Sequence, residues 1–242
     1  MKETAPVCND FKKGFRDGIP IGLGYVSVSF AFGMMAQSMG LPVWAAVAVS
    51  MSNVTSAGQF AGLTLIASAA PYVEMALTQL VINLRYALMS LSLSQKLEGT
   101  VTTLDRLVIA FVNTDEVFAV ASSQKGSLGK KYLFGLILAP YFGWALGTLL
   151  GAAAGTILPA SVRSALGIAI YGMFIAIVIP PAKYLQSVRV TAGLAAALSC
   201  VFAFVPLLQK ISSGFAIILC TVIAASVAAV LYPVPDREEE TQ

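Results

Sequence analysis

The fold turns on "LVINLRYALM", residues 80–89. The run reads as the middle of a membrane-spanning helix, yet it carries Asn83 and Arg85. An arginine at the centre of a bilayer costs about 2.5–3.5 kcal/mol on insertion scales, so it should face a partner or a wet cavity. The flanks stay apolar in both directions and extend the span to 74–94. At 100° per residue, Gln79, Asn83, Tyr86 and Ser90 form one polar stripe, and Thr78, Arg85 and Ser92 form a second about 120° away.

The whole chain shares this character. Of its 242 residues, 57% are hydrophobic and 11% are charged, with a mean hydropathy of +0.82. Soluble domains carry about a quarter charged residues. The chain is therefore expected to be an all-α polytopic membrane protein, one integral permease domain over 1–242. Residues 1–17 form a cytoplasmic N-terminus, not a cleavable signal peptide, and 233–242 a polar tail. Apolar runs at 18–38, 43–70, 74–94, 107–123, 132–156, 164–182, 190–208 and 211–232 predict seven to eight transmembrane helices. The second run is interrupted at "MSNVTSAGQFAG", residues 51–62, and reads as one interrupted helix or as two half-helices broken near 53–59. On the eight-span reading ten Lys and Arg fall on one side, and Lys96, Arg106, Arg163 and Lys210 on the other. That bias puts both termini in the cytoplasm.

Several features limit the chemistry. Histidine is absent, and Cys8, Cys200 and Cys220 have no metal or redox spacing. No cofactor, no metal and no nucleic acid is expected. Gly143, Gly147, Gly151 and Gly155 form a four-residue ladder, and Gly14, Gly18 and Gly22 another, which suits close helix packing or a subunit contact. Pro20, Pro140, Pro180, Pro181 and Pro206 should kink or end helices. "GIPIGLGYVSVSFAFG" with "GLPVWAAVAV" and "APYFGWALGTLLGAAAG" with "ILPASVRSAL" read either as a weak internal repeat or as chance likeness between Gly-rich runs.

Three constellations could carry function. Arg85 is either half of a structural salt bridge or a functional charge, as an anion ligand or a gating charge. Asn113, Thr114, Asp115 and Glu116 fall within the 107–123 run. Adjacent acids point about 100° apart, so one can pair with Arg85 while the other takes up a proton, unless both are simply solvated at a span end. Asn53, Ser56 and Gln59 lie in the interrupted run. There, freed backbone groups need protein or water partners, and a half-helix N-terminus suits a carboxylate. The expected substrate-binding set is Asn53, Ser56, Gln59, Asn83, Arg85 and Tyr86. The expected coupling set is Asp115, Glu116 and Asn113.

The order "GFRDGIPIGLGYVSVSFAFG", "TSAGQF", "VINLRYALM", "NTDEVFAV" resembles the AzlC family, the large subunit of branched-chain amino acid exporters, over most of the chain and most strongly from Phe15 to Val120. The resemblance implies a bacterial inner-membrane permease that exports leucine, isoleucine, valine and related apolar amino acids. It also implies a separate small AzlD-like membrane subunit as partner. Two positions depart from the family pattern. The residues before Gln59 read Thr-Ser-Ala-Gly, and Tyr86 stands where the family commonly has histidine, so an imidazole relay there is not expected. Not an enzyme but a secondary transporter, proton-coupled, is the expectation. The alternatives are an intramembrane enzyme using Asp115 and Glu116, and a passive channel or assembly factor.

Overall fold

The computed structural model describes residues 7–157, 175 and 178–233. Nearly all are helical: α1 Phe11–Ser38, α2 Val43–Ser52, α3 Ser56–Ala67, α4 Tyr72–Ser94, α5 Thr103–Phe111, α6 Asp115–Ser123, α7 Lys130–Ile157, α8 Gln186–Phe204 and α9 Ser213–Leu231. Among the described residues, five helices (α1, α4, α7, α8 and α9) are long and apolar enough to cross a membrane. The all-α membrane class follows directly. The chain divides into two compact units, the described residues of Met1–Leu63 with Asn83–Ile170, and those of Thr64–Ile82 with Tyr171–Gln242.

In the first unit α1 and α7 form the most extensive helix pair. Gly14 lies against Tyr132, Gly18 against Leu136, Gly22 against Ala139 and Gly33 against Thr148. From the other side Gly143 meets Gly22, Gly147 meets Val26 and Gly151 meets Phe30. Partner numbers rise together, so the helices run parallel. A Cβ on Gly22 would sit 2.6 Å from the Ala139 carbonyl oxygen, well inside contact distance. Both glycine ladders thus serve packing within the chain. Pro20 and Pro140 lie inside α1 and α7, and both helices continue through them, so neither proline ends its helix.

A parallel two-strand clip ties the two helix starts together. β1 Val7–Cys8 pairs with β2 Ser127–Leu128, and the Asn9 side chain accepts from Lys131 N at 2.9 Å. Asp10 caps α1 by accepting from Lys12 N at 2.9 Å. This clip marks one end of the unit.

The run 107–123 was expected to cross as one span, and it does not. Helix α5 starts at the clip, where Asp105 lies 3.6 Å from Lys130. Helix α6 returns there: Lys96 Nζ donates to the Ser122 and Gln124 carbonyls, each at 2.5 Å, and the backbone of Lys96 and Glu98 pairs with Leu128. Each half has nine residues, about 13 Å at 1.5 Å per residue, too short to span. The break at Val112–Thr114 is the tip of a hairpin. Lys96 and Arg106 therefore stand at the clip end with Lys12, Lys13, Arg16, Lys125, Lys130 and Lys131, not on the opposite side as the eight-span count had them. Apolar periodicity cannot distinguish a helix that crosses from two half-helices that turn back.

The interrupted run resolves the same way, from the other end. Helix α2 follows the far end of α1 and runs against α7, with Ser50 Oγ 2.6 Å from Thr148 Oγ1. After the break at Asn53–Thr55 the chain reverses. Had it continued, Gln59 would lie a full turn or more toward the clip. Instead Gln59 accepts from Trp144 Nε1 at 3.0 Å, and Phe60 stacks edge-on against Phe32, centroids 5.5 Å apart. The break expected near 53–59 falls at 53–55, and Ser56 and Gln59 belong to α3.

In the second unit α8 and α9 pack together. The α9 N-terminus is answered by Glu74, which is 3% exposed and accepts from Gly214 N at 2.9 Å. Burying that carboxylate at the positive end of a helix dipole offsets its desolvation. The expected span 164–182 falls largely outside the described residues, as does "ILPASVRSAL" from Leu158 on. The first members of the suggested repeat, α1 and α7, do share one direction.

Gly18→Leu or Gly147→Leu should lower stability by about 1–3 kcal/mol or more, since backbone fills the space a side chain would need. Gly24→Ala, whose Cβ would meet nothing within 4 Å, should be neutral or stabilising by up to about 1 kcal/mol. Thermal unfolding of the purified protein in detergent separates the two cases.

Candidate functional site at the hairpin tips

The two tips meet. A cleft of about 200 Å³ is lined by Ser52, Asn53, Val54 and Thr55 of the first break, Asn83 and Tyr86 of α4, and Ala110, Phe111 and Asn113 of the second. Of the residues expected to act together, Asn53, Asn83, Tyr86 and Asn113 line it. Arg85 and Asp115 stand beside it. Ser56 and Gln59 do not line it. Gln59 is buried at 0% exposure against Trp144, with its Nε2 unpartnered.

The threonine of each tip occupies the position before a half-helix. The Thr55 carbonyl accepts the first intrahelical bond of α3, from Gln59 N at 3.1 Å, and the Thr114 carbonyl that of α6, from Phe118 N at 2.8 Å. Threonine is a good N-cap because its side chain can satisfy an orphan amide. The Thr114 hydroxyl accepts from Val117 N at 3.4 Å. The tips thus bring two helix N-termini, which carry partial positive charge, and two C-termini, which carry exposed carbonyls, to the same depth. The first turn of α6 answers its positive end with Asp115 and Glu116, whereas the first turn of α3 has no acid.

Arg85 meets Asp115. Its Nη2 is 2.9 Å from Asp115 Oδ2, with the side chains 52% and 46% exposed. Arg85 also donates to Tyr86 Oη at 3.1 Å and lies over the Tyr86 ring, 4.9 Å from its centroid. Tyr86 in turn donates to Thr55 Oγ1 at 3.1 Å. A cation tied to an acid on one hairpin is thereby linked to the tip of the other.

Glu116 takes a different partner. Tyr25 Oη of α1 lies 2.5 Å from Glu116 Oε2 and 2.6 Å from Thr114 Oγ1. A phenol has one proton, so it donates to the carboxylate while the threonine hydroxyl donates to it. The buried Tyr25 ring packs edge-on against Trp144 at 4.9 Å. The adjacent acids do diverge, as expected, but Asn113 and Glu116 share no helix face, because Asn113 lies in the break. Asn113 is 3% exposed; its Nδ2 donates to Ser90 Oγ at 3.1 Å, and its Oδ1 has no partner. It is a buried acceptor in the cleft wall.

Tyr25 is the functional residue missed from sequence. It lies in an apolar helix with nothing local to single it out, and only its 89- and 91-residue separations from its partners give it a role.

A half-exposed pair is worth about 0–1 kcal/mol, whereas breaking a buried one costs about 3–5. Arg85→Ala and Asp115→Ala should therefore each lower stability by about 1 kcal/mol or less. A double-mutant cycle by thermal unfolding, with a coupling near that size, checks the weak coupling expected of a half-exposed pair.

Comparison with known proteins places the chain. The family model described as "AzlC protein" matches residues 20–158, more than half of the length. The inner membrane protein YgaZ of Escherichia coli is 29% identical over 97% of both chains. An uncharacterized membrane protein of Archaeoglobus fulgidus is 33% identical over 72% of this chain and 76% of its own. One from Helicobacter pylori is 29% identical over 56% and 62%. No solved structure matches. This multi-pass membrane protein belongs to the AzlC family.

Proposed function

We propose that the protein is a secondary transporter that exports branched-chain or other apolar amino acids across the bacterial inner membrane, coupled to protons, together with a small AzlD-like subunit. The observation that carries the reading is the cleft where the tips of two half-helix hairpins meet beside the Arg85–Asp115 pair. Broken helices that bring their ends to mid-membrane are how many transporters bind charged solutes away from water.

An amino acid is a zwitterion with an apolar side chain. The acid-free N-terminus of α3 and Arg85 suit its carboxylate. The Asn113 Oδ1 acceptor and the carbonyls ending α2 and α5 suit its ammonium. Val54, Ala110 and Phe111 offer apolar wall. The substrate carboxylate competes with Asp115 for Arg85, and an Asp115 released from Arg85 takes a proton. That exchange links solute to proton without leaving a bare charge in the membrane. The eight Lys and Arg at the clip end of the first unit support placing that end, and the N-terminus with it, in the cytoplasm. The direction of transport and the partner subunit rest on the family resemblance. An intramembrane enzyme would need two carboxyls facing one substrate, and here Asp115 and Glu116 turn to Arg85 and Tyr25.

The test is efflux from vesicles holding the chain and its neighbour-encoded small subunit, loaded with labelled leucine. Arg85→Ala should cut efflux by about tenfold or more, equivalent to losing one charge-assisted contact. Asp115→Asn should make residual efflux indifferent to an imposed pH gradient. Normal, gradient-driven efflux in Arg85→Ala sinks the role assigned to that residue. Gradient-indifferent efflux in the unaltered protein points to a passive channel.

A further inference from the structure

The first unit contains a reciprocal pattern. Helix α1 runs away from the clip and is followed by the α2–α3 hairpin, which enters from the far end. The 83–94 part of α4 runs back toward the clip and is followed by the α5–α6 hairpin, which enters from the clip end. Each long helix carries a tyrosine fourteen residues after its first residue, Tyr25 in α1 and Tyr86 in α4. Each tyrosine hydroxyl bonds the threonine before a half-helix, but in the other repeat: Tyr25 to Thr114 at 2.6 Å and Tyr86 to Thr55 at 3.1 Å. Tyr25 also donates to Glu116 beside the tip it meets, whereas Tyr86 accepts from Arg85, its neighbour on α4. One helix–hairpin repeat, used twice in opposite directions and crossed over, accounts for the two tyrosine–threonine contacts.

We infer that Tyr25 and Tyr86 are paired latches on two opposed gates, Tyr25 holding the α5–α6 hairpin shut against the clip end and Tyr86 holding the α2–α3 hairpin shut against the far end. The cleft lies between the tips, so a hairpin that swings off its latch opens the cleft to the end from which that hairpin enters and to no other. Each latch is one contact among several, since α3 is also held through Gln59 on Trp144 and Phe60 on Phe32, and the second tip through Asn113 on Ser90. Removing a tyrosine hydroxyl while keeping the ring leaves the Tyr25–Trp144 packing in place and takes away the hydrogen bonds alone. The inference rests on the cleft being the site of the transported solute, but its test uses no solute, so the two can fail separately.

Ser52→Cys in a background with Cys8, Cys200 and Cys220 changed to Ser places one thiol in the cleft wall. Membrane-impermeant maleimide is then applied to right-side-out and to inverted vesicles. Tyr25→Phe should raise the labelling rate about five- to tenfold from the clip-end side only, and Tyr86→Phe by a similar factor from the opposite side only, the population shift expected for losing one or two ordinary hydrogen bonds. Thr114→Val and Thr55→Val, which keep side-chain volume, should each reproduce the sidedness of their tyrosine. Labelling that rises on the same side for both tyrosines, on both sides for either, or on neither side overturns the inference.

Discussion

The parallel seam between α1 and α7 is the contact on which the rest depends. Two long helices approach until backbone touches backbone, because Gly14, Gly18, Gly22 and Gly33 face one way and Gly143, Gly147 and Gly151 the other. Between helices in lipid there is little hydrophobic gain, so close van der Waals packing supplies the association. The seam also sets the depth of everything attached to it. Tyr25 and Trp144 come level and meet edge-on. Trp144 receives α3 through Gln59, and Tyr25 receives α6 through Thr114 and Glu116.

The hairpins are a second consequence of the same constraint. Half-helices of nine to twelve residues leave unpaired amides and carbonyls in the interior of the protein. Such groups are tolerable only where protein or cavity water satisfies them. At the tips the Thr114 hydroxyl accepts from Val117 N, and Tyr25, Tyr86, Asn113 and the Arg85–Asp115 pair tie the surrounding side chains together. The polar groups gathered at the breaks are also the ones that line or flank the cleft between the tips.

Much was legible early, and the misses share one cause. The polar interruption at 51–62, the stripe holding Asn83, Tyr86 and Ser90, and the divergence of Asp115 from Glu116 follow from composition and helical period. The run 107–123 misled because its apolar content fits a span, and nothing local says that the chain turns at Val112–Thr114. Thr102 and Asp105 did offer a hint. They form a capping box, and bonds from Thr102, with Lys130 beside it, hold the Asp105 carboxyl below the usual carboxylate range. A depressed carboxylate contributes stability above its unfolded value, near pH 4, and loses it as the pH falls through the folded one. A helix start at Thr102 with a second N-cap twelve residues later at Thr114 reads, in retrospect, as two short helices.

Class, apolar helices, glycine faces and the residue types of the site are local properties. They depend on side-chain chemistry at a fixed period, and the order of residues carries them in full. Direction is not local. Whether a helix crosses or turns back, which acid meets Arg85, and why Tyr25 matters at all are fixed by contacts between residues some 30 to 90 positions apart. Those pairings have similar local signatures in every arrangement, and only packing against the α1–α7 seam selects among them.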